Sequence, residues 1–391
     1  MGPQSYPRFG SAAPPMAAKS PVQPIAPGPE PVAREPMPVM APSAPITLRG
    51  DKTAVTASID LRIITYERVD KWCKLVGNRR FWADAGIDAE TMLRDCTELM
   101  HNLGVNDEAL RELSAGDYLE VAIPFGSEET SRLARCFPWE YVLVTATKPA
   151  RGDRPISVVR HLQVTEHTAP YEIKPPKTFA FIETAPKPFD QFYGFSAERD
   201  LLHHALEGVK GKDFYNPTRR QLESLIKEAD WDVIHLTGLD RHQGVSLLRW
   251  KGWERDSDLV KNYAKESAPA DGVIVLNDKM QLDFLDSQAL GETLTLREAK
   301  PLLVTMNLYH SAGSLAALAV AHGASAAIGF QDTFDDSLCD TFFSRFYRAC
   351  AVAKWDILPA FAWTVSSLPR PAMTGTGIVL WSKTTLLKVK E

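Results

Sequence analysis

The 391-residue sequence has no run approaching the roughly 18 to 20 consecutive apolar residues that a membrane-spanning helix needs. Its first ten residues lack an apolar signal-peptide core, and Tyr6 stands where an N-myristoylation motif carries Ser or Thr. Cysteine is scarce: five residues, an odd count with no Cys-x-x-Cys spacing, which argues against a disulfide framework or a zinc site and for reduced thiols in a cytoplasm. Charge of one sign is lacking as well. With 44 Lys+Arg against 49 Asp+Glu, a net charge of −5 and no long block of either, no electrostatic footprint for nucleic acid is expected. No Gly-x-Gly-x-x-Gly follows a strand pattern, Gly208-Val209-Lys210-Gly211-Lys212 lacks Walker spacing, and there is no His-Glu-x-x-His. The expectation is a cytoplasmic protein with no membrane or nucleic-acid partner, no cofactor and no metal.

Proline, by contrast, is plentiful and unevenly placed: 13 of 28 lie in the first 45 residues. Each removes a backbone donor and fixes φ, so residues 1–45 read as a disordered or polyproline-like arm. Pro21 to Pro24 has Pro-x-x-Pro spacing with only Lys19 as a basic neighbour, a poor ligand for a proline-reading domain. Beyond the arm, 45% hydrophobic composition and length divide the chain into 46–165, a polar, proline-bearing link at 166–177, and 178–391.

The 46–165 part reads as α+β. Ala57, Ile59, Leu61 and Ile63 alternate with polar residues as in a half-buried strand; Asp88 is placed to cap a helix through Cys96, Leu99, Met100 and Leu103, with Gly104 as its stop. Tyr118–Ile123, Tyr141–Thr145 and Ile156–Leu162 read as extended. In 178–391, short apolar strands (Phe179–Glu183, Val233–Thr237, Gly272–Leu276, Leu302–Met306, Ala326–Gly329) alternate with helices. Among the helix signals, Ser196 reads as a cap, Thr218 with Gln221 as a capping box, Ser311 as the start of an Ala-rich helix, and Asp336 as the cap of a helix carrying Leu338, Phe342, Phe346 and Cys350. This pattern predicts an α/β domain with a mostly parallel sheet flanked by helices.

In such a sheet, chemistry gathers beyond the carboxyl ends of the strands. Two loops qualify, Gly238-Leu239-Asp240 and Asn307-Leu308-Tyr309-His310-Ser311. The segments around them, Asp232-Val233-Ile234-His235-Leu236-Thr237-Gly238 and Met306-Asn307-Leu308-Tyr309-His310-Ser311-Ala312, resemble the two signature strands of CHAT proteases, the bacterial relatives of caspases and separase. Phe137-Pro138-Trp139-Glu140 is similar to the family's Pro-Trp-Glu element, and Ile156 to Arg160 to the strand that follows it. Gly272 to Leu276 with Asp278, and Gly323 to Gly329 with Asp336, are similar to later segments, in order, so the likeness runs from about Ile46 to Leu387.

The resemblance implies a caspase-like fold and a cysteine-protease site in which a thiolate attacks and a His carries the proton. Carried over by position, the His falls on Leu239 and the Cys on Tyr309, and both are replaced. Leucine cannot move a proton, and a phenol of pKa about 10 is a poor nucleophile. The expectation is therefore no catalytic residue, a remnant groove of Gly238, Asp240, His242, Asn307 and His310, and a pseudoprotease that acts as a binding, scaffold or regulatory subunit. Its partner would be an active CHAT protease or a protease substrate, in bacterial regulated proteolysis or defence.

An alternative is a hydrolase or peptidase with a site rebuilt from Asp240, His242 and His310, an acid and two imidazoles that adjoining loops would bring together. A purely structural role is a third reading. His235, among Val233, Ile234 and Leu236, reads as a hydrogen-bonded core residue, and Cys96, Cys339 and Cys350 as small buried hydrophobes. Tyr309 reads as a groove contact or plug, and the Trp250 and Trp253 pair as an interface anchor or packing.

Overall fold

Most segments that read as strands in sequence join one ten-stranded sheet in the computed structural model, which describes residues 44–81, 89–164, 171, 173–253, 258–266, 271–333, 336–369 and 375–387. The arm to residue 43, Asp88 and residues 166–170 and 172 of the link lie outside these. The first part gives strands β1 (Ile46–Gly50), β2 (Thr56–Ile59), β3 (Tyr118–Pro124) and β4 (Ser157–Gln163). The second gives β5 (Thr178–Thr184), β6 (Lys210–Tyr215), β7 (Val233–Gly238), β8 (Gly272–Leu276), β9 (Leu282–Asp286), β10 (Leu303–Asn307), β11 (Ala326–Phe330) and β12 (Ile378–Ser382).

Ten strands run in the order β2-β1-β3-β4-β12-β11-β10-β7-β5-β6, and β8-β9 form a separate hairpin. Only β1/β2, β1/β3 and β11/β12 pair antiparallel in the large sheet. Helices cover both faces, so the chain is α/β with a mostly parallel, caspase-like sheet. The two parts share it: β12 lies between β4 and β11, with Trp381 opposite Arg160.

Local chemistry accounts for most element ends. Thr218 Oγ1 accepts from Gln221 N while Gln221 Oε1 accepts from Thr218 N, the reciprocal capping box expected of that pair. Cys96, Leu99 and Met100 are buried on the helix Ala89–Asn102, and Gly104 follows with φ 86°, a left-handed stop that glycine adopts without strain. On the helix Asp336–Val352, Phe342, Phe346 and Cys350 are buried.

Four expectations are corrected. Tyr141–Thr145 is helical, within Trp139–Ala146, because nearly every face of that short helix is buried and no helical polar-apolar period is left to read. The alternation from Ala57 stays extended only to Ile59; Asp60 then caps a 3₁₀ turn, its carboxylate accepting from Arg62 N at 2.9 Å. Gly272–Leu276 is a strand outside the main sheet, since its edge pairs with β9. Ser196 opens its helix without capping it, as the cap position is Phe195.

The seam between the parts is polar and buried. Arg160 on β4 is fully buried and donates to both oxygens of Glu140, with Nε to Oε1 at 2.7 Å. It also donates to the carbonyls of Arg135 (2.5 Å) and Phe137 (3.0 Å) and to Gln331 Oε1 (3.1 Å), and its guanidinium lies 5.2 Å from the Trp381 ring. Removing one partner of a buried pair leaves an uncompensated charge. Glu140→Leu is therefore expected to destabilise the protein by about 3 to 5 kcal/mol, read as a lowered denaturation midpoint; a loss below about 1 kcal/mol would mean that the pair behaves as an exposed one.

Candidate functional site

The carboxyl ends of β5, β7 and β10 lie side by side, with Glu183 opposite Thr237 and Thr237 opposite Asn307. Alternation sends Ile182, Leu236 and Met306 into one core, and Phe181, His235 and Thr305 toward the other face. On that second face His235 is fully buried. Its Nε2 contacts Glu198 Oε1 at 3.0 Å, and its Nδ1 meets Thr305 Oγ1 at 2.8 Å. Both ring nitrogens are thus hydrogen-bonded. Tyr347 OH is 2.5 Å from Thr305 Oγ1, Asn307 Nδ2 donates to Glu198 Oε1 at 2.9 Å, and Phe181 stacks on the imidazole at 5.5 Å. His235 is thus a hydrogen-bonded core residue. Asn307 is engaged in the same network.

After β7 the chain passes so close to β5 that a Cβ on Gly238 would sit 2.1 Å from Thr184 Oγ1 and 2.4 Å from its carbonyl oxygen. Only glycine fits. Leu239 N then donates to Thr184 O (3.3 Å) and Leu239 O accepts from Ile274 N (3.0 Å). Held at both ends, Leu239 turns its side chain into an apolar cluster with Ala185, Phe189, Val245, Leu248 and Ile274, and it is fully buried.

Asp240 is spent on structure. It caps the helix Arg241–Trp250, accepting from His242 N (2.8 Å) and Gln243 N (2.9 Å). Burial pushes its carboxyl up, opposed by those backbone donors and by the nearby imidazoles of His310 and His242. His242, half-buried, has both ring nitrogens engaged: Nε2 with Asp271 Oδ1 at 3.0 Å and Nδ1 with Tyr263 OH at 2.8 Å. The bond to Asp271 raises its pKa. Burial alone would raise Asp271, but the bond from His242 and the charges of His242 and Arg132 hold it below the usual carboxylate range.

In the second loop, Ser311 Oγ donates to Leu308 O (2.7 Å) and accepts from Phe330 N (3.0 Å), tying the turn to β11. His310 is exposed with φ 54°, its N–H reaching Asp332 O at 3.4 Å, and Tyr309 is half-buried. A π-helical turn, Ala312–Ala316, follows.

The loops therefore bring Asp240, His242 and His310 into one neighbourhood. Among the described residues no group of three His, Cys, Asp or Glu side chains is arranged to hold a metal. Among the described residues the partners of the His242 ring nitrogens are Asp271 and Tyr263, not a serine or cysteine. Sequence reading missed Asp271, Tyr263 and Glu198, which carry no local motif. It also missed Cys136, which lies against the π turn: a Cβ on Gly313 would be 2.8 Å from its Sγ. Burial pushes that thiol up, away from the thiolate form a nucleophile needs.

No protein-family model matches the chain, and no curated protein gives a significant match to it.

The His242–Asp271 pair makes a pH-dependent contribution of known sign. With the folded His242 pKa raised, its share is fully present below the unfolded value of about 6.5 and is lost as pH rises through the folded value. Asp271, depressed, contributes above about 3.9 and loses that share as pH falls through its folded value. In an NMR titration, Asp271→Asn is expected to move the His242 midpoint down toward 6.5; an unmoved midpoint would remove Asp271 as the cause.

Proposed function

We propose that the chain is a CHAT-like pseudoprotease that acts by binding. In this reading it is a cytoplasmic scaffold or regulatory subunit that engages an active protease or its substrate in a bacterial regulated-proteolysis or defence pathway. One observation carries the proposal: at the position where the family resemblance calls for a proton-carrying His, Leu239 has its side chain fully buried in an apolar cluster. Tyr309 at the companion position supplies no thiol, and burial pushes up the pKa of Cys136, which lies against the π turn. Around these positions the loop architecture is intact, with Gly238, Asp240 and Ser311 each fixed by hydrogen bonds or close packing. In this reading, a folded groove that lacks the family's His and Cys retains what binding needs and lacks the dyad that turnover needs.

No specific observation favours the hydrolase reading, since Asp240 and His242 already have their partners. Incubation of the full chain with a proteome-derived peptide library, with new termini read by mass spectrometry, is expected to show no cleavage. Cleavage abolished by His310→Ala or His242→Ala would defeat the proposal. Leu239→His with Tyr309→Cys is expected to stay silent as well, because the new imidazole enters an apolar cluster at a cost of about 1 to 3 kcal/mol. Recovered peptidase activity in that double variant would mean that position 239 can face the groove.

A further inference from the structure

The helices Asp336–Val352 and Ile357–Ser366 form a hairpin whose inner faces bury Phe342, Phe346 and Phe361 in the core behind the sheet. Their outer faces leave large apolar side chains in water: Val352 is 87% exposed and Trp363 58%. Between them runs a groove of about 340 Å³ lined by Arg345, Arg348, Val352, Pro359, Ala360 and Trp363. Trp and Arg are the residues most enriched among those that carry binding energy in protein interfaces, and both are present here.

Charge identifies the occupant. No carboxylate lines the groove. Arg345 is exposed and anchored through Nη1, which donates to Ser367 O at 2.8 Å and to Ser367 Oγ at 3.3 Å. Arg348 is exposed and pairs with no carboxylate among the described residues. In a chain of net charge −5 this is a local reversal of sign. We propose that the groove docks an acidic amphipathic protein segment, which inserts an apolar side chain beside Trp363 and sets Asp or Glu against the two guanidinium forks. A nucleic acid fits less well, because one aromatic in a concave apolar groove is no platform for successive bases. The proposal is independent of whether the loop site is catalytic, since the groove contains no residue of either loop.

The test is a random peptide library displayed on phage and panned against the full chain, in parallel with its Trp363→Ala variant. Peptides recovered only by the unaltered chain are expected to combine Leu, Ile, Phe or Trp with neighbouring Asp or Glu. In fluorescence anisotropy, Trp363→Ala and Arg348→Glu should each weaken such a peptide at least tenfold, and added salt should weaken it further. Both positions are exposed, so the variants should keep the far-UV circular dichroism of the parent. Recovery of basic peptides, of none, or of peptides indifferent to Trp363→Ala would overturn the proposal. It would also fall if the tenfold loss appeared instead with single-stranded DNA or anionic phosphatidylglycerol vesicles, or if Trp363→Ala dissolved a dimer in sedimentation, which would make a second copy the occupant.

Discussion

The Arg160 guanidinium fixes the seam on which the rest of the sheet depends. Four acceptors surround it: the Glu140 carboxylate, the carbonyls of Arg135 and Phe137, and the Gln331 side chain. Gln331 in turn donates to Cys136 O at 2.6 Å, so the end of β11 and the Cys136–Glu140 segment are tied to the same cation. Burying a charge is costly, and a buried pair seldom adds net stability over an apolar equivalent. What it specifies is register. Trp381 has to lie opposite Arg160 for the ring to cover the guanidinium, and that pairing places β12 between two parts of the chain that are far apart in sequence.

The carboxyl end of the sheet inherits its order from a second buried polar chain. Tyr347, Thr305, His235, Glu198 and Asn307 link a helix, β10, β7 and the helix Ser196–Ala205 in a single line of hydrogen bonds. In a low-dielectric interior such a chain is strong when satisfied and costly when broken, so it keeps the ends of β7 and β10 level. Loops that leave level strands are constrained from their first residue. Gly238 has no room for a Cβ, and Leu239 has both backbone groups occupied. Its side-chain direction is therefore set by the backbone, and leucine suits a direction that leads into a dry cluster.

Much of this was legible in the sequence where the signal is local. The Thr218–Gln221 box, the Gly104 stop, the apolar strands and His235 as a core residue each follow from a few neighbouring residues. Features that depend on distant partners were not. Tyr141–Thr145 looks extended because a helix buried all round has no amphipathic period. Gly272–Leu276 has the composition of a central strand, and only its pairing with β9 places it in a hairpin. At the site, the absence of His and Cys at 239 and 309 could be read directly. The engagement of Asp240 as a cap and of His242 with Asp271 and Tyr263 could not, because residues 29 and 21 positions away share no motif with His242.

Stability is consequently distributed by kind. The main sheet rests on apolar burial on both faces, and the layer over Leu239 combines an apolar cluster with buried and half-buried charge. Arg241, fully buried, pairs with Glu266 and lies 3.5 Å from the Phe284 ring of β9, next to the His242–Asp271 pair. Apolar burial responds little to pH or salt; half-exposed ion pairs and imidazoles respond to both. The charged contacts of the helix Arg241–Trp250 and of Asp271, which precedes β8, are therefore open to pH and salt. The seam at Arg160, by contrast, is fully buried, so the titrating contacts around His242 and the buried seam lie in different parts of the chain.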